Sequence, residues 1–401
     1  MTEQKDTASL TPPKSKRARN STKSLIRELL KLASRPEIIS FAGGLPSPQS
    51  FPIEKIREAS VKVLETEGVA ALQYSTTEGS PKLRAEIAEL LTQRGAATSA
   101  DEVQIVSGSQ QALDLIALAY IDEDSPVAVE RPTYLGALQA FRMHGPRFIE
   151  LPADDEGLNP AAIGPEFRGI RFAYIMPTYQ NPTTKTMSDE RRRILAEKAR
   201  EYDFWIIEDN PYGELWYEKH AAPSMRAYAP ERTLTLGTFS KVLSPGFRLG
   251  YVAGPKAALD PLTTLKQAVD LHTSSYTQLV TAECLTGDFM AGHMPDVRKL
   301  YKTQCEAMLE AMDEFFPKEA KWVKPEGGMF IWVELPEGID TEKLMMEALE
   351  RNVAYVPGSA FYAQNACKNT LRLSFVTVPK DKIRKGIAAL GDLLKEKIAA
   401  L

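Results

Sequence analysis

The sequence predicts an α/β protein, with a large, mainly parallel sheet sandwiched by helices and a smaller α+β module after it. Three observations carry this reading. Between Val103 and Thr238, short apolar runs rich in β-branched residues alternate with amphipathic helical stretches, an order that needs crossover connections and hence a parallel sheet buried on both faces. Towards the C-terminus the style changes, with strands read over 328–333 and 371–375 and two amphipathic helices, one of them over 380–399. The length of 401 residues exceeds the roughly 250–300 at which one core stops growing. The expected division is 1–52 for an N-terminal arm and helix that joins the smaller domain and closes over the site as a lid, 53–295 for the large domain, and 296–401 for the small C-terminal domain.

In chain order, residues 1–19 are polar and rich in breakers, which reads as a flexible arm. Residues 21–33 read as an amphipathic helix with Leu25, Ile26, Leu29, Leu30 and Leu32 on one face, and Ser24 and Arg27, three apart, on neighbouring positions. An apolar run from Ile38 then ends in Gly43-Gly44, a loop without side chains that lets backbone approach a ligand closely. Helical periodicity over 53–94 breaks at 72–79. Next come a strand over 103–106, the turn Ser107-Gly-Ser-Gln-Gln111 and a helix over 112–120, then a strand over 127–130 and a helix around 134–141. A strand over 172–176, a helix over 188–202 and a strand over 205–208 follow, and long helices are expected around 256–271, 276–285 and 295–316. Ligands of such sheets lie at the carboxyl ends of the strands, which singles out the loops after Val106, Met176, Glu208 and Gly237.

Bulk properties narrow the ligands. A formal charge of −4 leaves no basic footprint for nucleic acid, so small molecules are expected. Cys284, Cys305 and Cys367 show no CxxC spacing and only four histidines occur, which points to neither a disulfide framework nor a metal site. No apolar run reaches the roughly 18 residues of a membrane span, and no apolar targeting segment opens the chain. A reduced, cytoplasmic protein is the expectation.

The chemistry concentrates in Thr233-Leu-Thr-Leu-Gly-Thr-Phe-Ser-Lys241-Val-Leu-Ser-Pro-Gly246-Phe-Arg248. A buried strand breaks there into hydroxyls, a lysine, Pro-Gly and an arginine. An amine at a strand end, with Thr238 and Ser240 before it and Arg248 after it, suits covalent attachment of an aldehyde cofactor whose phosphate takes hydroxyls and a guanidinium. Pyridoxal phosphate is that cofactor. The turn at Ser107 joins a strand to a helix and so offers backbone N–H groups to a phosphate. In Ile207-Glu-Asp209-Asn-Pro-Tyr212 an aspartate at the end of a buried strand needs a partner; the pyridinium nitrogen of the cofactor supplies one, and the carboxylate keeps it protonated. Tyr212 lies within reach of the cofactor's phenolic oxygen.

Together these residues resemble the Ser-x-Ser-Lys-(x)6-Arg lysine motif and its companions in fold-type I aminotransferases of class I and II, with Thr238 where serine is more usual. The resemblance covers nearly the whole chain. It implies that Ser109, Gln110, Ser240 and Arg248 hold the cofactor phosphate, that Tyr134 stacks on the pyridine ring, and that Asn181 donates to the phenolic oxygen. It implies also that Arg372 grips the substrate α-carboxylate and that the Gly44 loop borders the substrate. Ile26-Arg-Glu-Leu-Leu-Lys-Leu-Ala, Leu72-Gln-Tyr74-Ser and Leu265-Lys-Gln-Ala-Val-Asp-Leu-His-Thr resemble the α-aminoadipate and kynurenine aminotransferase branch. Its members are homodimers, in which Tyr74 would reach the partner's cofactor phosphate.

The expected activity is transfer of the amino group of an L-amino acid (α-aminoadipate, aromatic, kynurenine-like or branched-chain) to a 2-oxo acid such as 2-oxoglutarate. Lys241, Asp209 and Tyr212 form the expected catalytic set, and Ser24 and Arg27 the expected contacts to a substrate side chain. A lyase or decarboxylase using the same electron sink is the rival reading. A ligand-binding protein on the same fold is the other, and for a regulator the stretch before Ser24 is expected to be too short for a DNA-binding module.

Overall fold

The computed structural model describes residues 12–21 and 35–401. Ser24 and Arg27, with nearly all of the helix expected over 21–33, lie outside the described residues. Seven strands form the large sheet: β1 (Val103–Val106), β2 (Pro126–Val129), β3 (Arg147–Glu150), β4 (Phe172–Ile175), β5 (Trp205–Asp209), β6 (Thr233–Thr238) and β7 (Gly250–Ala253), ordered β1-β7-β6-β5-β4-β2-β3. Every pairing is parallel except those of β7, which runs antiparallel to β1 and β6. β1, β4 and β7 are buried at every position, as strands covered by helices on both faces must be.

A second sheet joins β8 (Lys321–Trp322), β9 (Phe330–Glu334), β10 (Val356–Pro357) and β11 (Thr370–Ser374) in the antiparallel order β8-β9-β11-β10. The segment after residue 38 belongs with it: Ile39–Ser40 pairs with Val353–Ala354, and the Ser374 N–H donates to the Phe41 carbonyl at 2.8 Å. Helices Phe289–Phe315 and Lys380–Ile398 pack beneath this sheet, and they meet closely because Gly391 carries no β-carbon; one placed there would lie 2.4 Å from the Phe315 carbonyl oxygen.

Three expectations change. β3 and β7 are additional strands in stretches left unassigned from sequence. The helix expected from Pro295 begins at Phe289, with Pro295 inside its second turn, where the ring displaces few backbone bonds. Within the arm, Lys16–Asn20 forms a short helix capped by Ser15, and Lys16 pairs with Glu123. No helix of the described residues is long and apolar enough to cross a membrane.

One buried arginine braces the loop after β4. Arg192, on helix Asp189–Glu201, donates to the carbonyls of Pro177 at 2.8 Å, Met187 at 3.1 Å and Pro223 at 3.1 Å and to Thr178 Oγ1 at 2.9 Å, while the Glu208 carboxylate stands 3.8 Å away. A desolvated guanidinium must satisfy its donors locally. Doing so here fixes both ends of the loop that carries Asn181.

Candidate active site

Asp209 ends β5. Its Oδ2 accepts from the Tyr174 hydroxyl at 2.8 Å, whereas Oδ1 is buried with no hydrogen-bond partner. Burial pushes the carboxyl up to about 7, against the Tyr174 hydrogen bond, and the Glu208 charge adds to the rise. A carboxyl in this state awaits a donor.

Arg372 projects from β11 between two rings, its guanidinium carbon 4.1 Å from the Phe330 centroid and 5.0 Å from that of Phe361. Nη1 donates to Asn181 Oδ1 at 2.7 Å and Nη2 to the Ala42 carbonyl at 3.0 Å, while Nε has no partner. No carboxylate of the described residues stands within ion-pair distance, and burial lowers this guanidinium to about 10, the nearby Tyr212 and Tyr134 offsetting part of the fall. Asn181 completes a bridge, since its Nδ2 donates to the Tyr212 hydroxyl at 3.3 Å. Tyr212 in turn meets Phe330 edge to face at 5.8 Å.

Lys241 follows β6, and its Nζ donates to the Gly44 carbonyl at 2.8 Å. Gly44 stands over Phe330, so close that an added β-carbon would sit 3.2 Å from the ring. The loop from the first quarter of the chain thus brings the amine to the same aromatic wall as Arg372. Desolvation, with the Arg372 and Arg248 charges, lowers the amine to about 8. At pH 7 about a tenth of Lys241 is therefore the unprotonated, nucleophilic form, and about half of it is at pH 8.

On the other side of Lys241, the helix Ser109–Tyr120 begins at Gly108, whose φ of 84° and missing side chain leave its N-terminus bare. A β-carbon at Gly108 would fall 2.5 Å from Arg248 Nη2, so the guanidinium lies across the turn. No described residue accepts from the backbone N–H of Ser109 or Gln110. Thr238 and Ser240 converge as well, with hydroxyl oxygens 3.0 Å apart. The Gln110 side chain turns away to the Gly136 carbonyl at 3.2 Å, so its offering to this cup is its main chain. Tyr134 precedes helix Leu135–Arg142, and Gly136 leaves room for its ring. Tyr74 stands apart, 78% exposed, its ring 5.8 Å from His272.

An acceptor without a donor, a desolvated amine and a cup of N–H and hydroxyl groups match the ring nitrogen, aldehyde and phosphate of pyridoxal phosphate. Among the described residues no cluster of His, Cys, Asp or Glu is placed to hold a metal ion. Sequence reasoning overlooked Tyr174, the donor to Asp209, although a tyrosine in the otherwise apolar run Phe172–Ile175 is itself a sign of a buried hydroxyl in need of a partner. It overlooked Glu130 too. This carboxyl accepts the Met176 N–H at 2.7 Å, and desolvation raises it to about 8, against that bond and one from Gln180. Gln180 ties the same loop to the Pro132 carbonyl at 2.7 Å.

The family model described as aminotransferase class I and II matches residues 37–390. The chain is 44% identical over 393 residues, covering 96% of it and 94% of the relative, to aromatic-amino-acid aminotransferase 1 of Thermococcus litoralis. It is 44% identical over 382 residues, 94% of this chain and 95% of the relative, to 2-aminoadipate transaminase of Thermus thermophilus. The crystal structure of an α-aminoadipate aminotransferase from Thermus thermophilus, complexed with N-(5'-phosphopyridoxyl)-L-leucine, superposes with a TM-score of 0.89 at 41% identity over 96% of this chain and 98% of that one.

The raised Asp209 carboxyl has a consequence for stability. Folded protein holds its proton up to about pH 7 whereas the ordinary value is 3.8, so in the cofactor-free chain its contribution is present at low pH and falls across that window, by roughly 4 kcal/mol. Thermal melts of cofactor-free Asp209→Asn and parent protein should therefore diverge, the variant gaining on the parent as pH rises from about 4 to about 7. A difference in melting temperature that stays constant with pH would contradict the assignment.

Proposed function

This chain belongs to the class I and II aminotransferases, and from that premise we propose that it moves the amino group of aromatic, kynurenine-like, branched-chain or α-aminoadipate donors to a 2-oxo acid such as 2-oxoglutarate. Pyridoxal phosphate is its cofactor and, when bound, supplies the electron sink into which the Cα–H bonding electrons are drawn. One observation carries the reading: Arg372 is buried, charged, flanked by two rings and without a carboxylate among the described residues. A substrate α-carboxylate gives it the bidentate partner its fork requires.

Roles follow from position. Lys241 would be the attachment point for the cofactor aldehyde, and its amine, lowered to about 8, would be suited to moving the substrate Cα proton. Asp209 would hold the ring nitrogen through Oδ1, which is buried without a partner, while Tyr174 holds Oδ2. Tyr212 and Asn181 would take the phenolic oxygen, and because Asn181 also holds Arg372 the substrate carboxylate and the cofactor would be referred to one side chain. The main chain at Ser109 and Gln110, with Thr238, Ser240 and Arg248, would hold the phosphate, and Tyr134 would cover the ring. The Gly44 carbonyl receives the lysine and excludes water from it. Supporting the donor range are the aromatic and aminoadipate relatives and the apolar ring wall of Phe330 and Phe361.

We propose further that the chain works as a cytoplasmic homodimer. Val61, Leu64, Val69 and Leu72 on helix Ile53–Leu72, with Tyr74, Val269 and Leu271 beyond it, are exposed apolar side chains on adjoining segments, a surface of the kind that association covers. The partner's phosphate cup would then receive Tyr74.

A donor screen with 2-oxoglutarate tests the activity: an amino donor should convert the cofactor absorbance to its amine form, and the 2-oxo acid should restore it. Release of CO2 or ammonia without formation of glutamate would instead support a decarboxylase or lyase. For the shared site, Lys241→Ala and Tyr74→Ala chains, each weakly active alone, should on mixing recover about a quarter of parental activity, since half the dimers are hybrids with one intact site in two. Proven subunit exchange with no recovery would refute the role of Tyr74.

A further inference from the structure

The turn over residues 107–111 has two sets of polar groups. One set, the backbone N–H groups of Ser109 and Gln110, has no partner among the described residues and is offered to the cup, while the Gly108 N–H donates to the Val106 carbonyl at 2.8 Å. The other belongs to the side chains of Ser107 and Gln111, both of which reach Asp270, just past the helix Lys256–Val269, and Gln111 also reaches Lys266 within that helix. Asp270 Oδ2 accepts from Ser107 Oγ at 3.1 Å, from Gln111 Nε2 at 2.7 Å and from Lys266 Nζ at 2.9 Å, while Oδ1 takes Lys266 at 2.6 Å. Gln111 Oε1 accepts the Ser107 N–H at 2.8 Å and Lys266 Nζ at 2.9 Å. The Lys266 side chain is wholly buried. Burial pushes the Asp270 carboxyl up, but the bonds from Lys266 and Gln111 more than offset it and leave it below the ordinary carboxylate range.

We propose that Asp270 and Lys266 are a positioning pair that holds the turn over residues 107–111 in the shape that receives the cofactor phosphate; the proposal rests on the cofactor placement above. Three features support it. The pair grips the turn on both sides of Gly108, at Ser107 and at Gln111, and so adds side-chain anchors to the main-chain bonds from Gly108 to Val106 and from Gln111 to Gly108 around a residue with φ of 84° and no side chain of its own. Charge is balanced: a carboxylate near a phosphate dianion would repel it, and Lys266 cancels that charge while leaving the oxygens free to orient Ser107 and Gln111. The network also continues outward. Thr273 Oγ1 lies 3.1 Å from Ser107 Oγ, His272 Nδ1 lies 2.8 Å from the Thr273 carbonyl, and His272 Nε2 accepts the Ser75 N–H at 3.3 Å. The residue beside Tyr74 is thereby tied to the turn.

Neither residue touches the cofactor in this account, so the test must separate positioning from mere folding. Cofactor-free full-length parent, Asp270→Asn and Lys266→Met are titrated with pyridoxal phosphate and, separately, with pyridoxal, which has the same ring and aldehyde but no phosphate. The Asp270→Asn change should weaken pyridoxal phosphate at least about tenfold and pyridoxal less than about twofold. Lys266→Met should weaken pyridoxal phosphate more, because it leaves the carboxylate unpaired beside the dianion. If either variant fails to fold, Ser107→Ala, which removes one link and no charge, should show the same preference with a loss of about three- to tenfold. Equal losses for the two ligands, or no loss for either, would overturn the proposal. Parent protein that binds the two ligands equally would overturn the phosphate placement itself, and the proposal with it.

Discussion

Asp209 and Arg372, an acid and a base, are both buried at the candidate site and form no ion pair with each other, the Asp209 carboxyl keeping its proton up to about pH 7. Asn181 and Tyr212 stand between them, one holding Arg372 and the other Asn181. Had the pair closed, their attraction in a low dielectric would have quenched both. Instead each is half satisfied: Asp209 by Tyr174, Arg372 by the Ala42 carbonyl and the faces of Phe330 and Phe361. Each keeps one unpartnered atom, Oδ1 and Nε. Burying an incompletely satisfied polar or ionised group is costly, and on the proposed reading a ring nitrogen and a carboxylate would supply the missing partners. Differential use of that stored imbalance is how a cleft favours a charge-developing reaction over simple binding.

The arrangement also explains why two modules are needed. Asp209 and Lys241 come from ends of adjacent parallel strands in the large sheet, Arg372 from the small antiparallel one, and the segment through Ala42 and Gly44 stitches them together by pairing with Val353–Ala354 and reaching Lys241. The loop after β4 has to be stiff to carry Asn181 between the two. Arg192 from below, and Glu130 and Gln180 from the side, provide that stiffness through main-chain carbonyls and N–H groups that no other element could satisfy.

How much of this was legible depended on whether the information was local. The alternation of apolar runs and helices yields β1, β2, β4, β5 and β6 because each is a short apolar or Thr-rich run with a breaker soon after it. β3 was missed since Arg147-Phe-Ile-Glu150 lies at the sheet edge and is only half buried, so it lacks the apolar signature. β7 follows directly on the lysine motif, and nothing in Gly250-Tyr-Val-Ala253 marks it as antiparallel; that is settled by its fit between β1 and β6. In the site, Lys241, Asp209, Asn181 and Arg372 stand in recognisable company along the chain. Tyr174, Glu130 and the Asp270–Lys266 pair act across 35, 46 and 159 residues to Asp209, Met176 and, from Asp270, Gln111, separations at which pattern carries no information and only the fold brings donors to acceptors.

The central claim is that Asp209 keeps an oxygen unpaired so that a protonated ring nitrogen can occupy it. The ¹⁵N chemical shift of isotopically labelled cofactor, bound to the protein, reads that proton directly. In the parent it should report a protonated nitrogen from about pH 6 to about pH 9, and in Asp209→Asn a neutral one over the same range. A neutral nitrogen in the parent, or a protonated one that survives the substitution, would contradict the account.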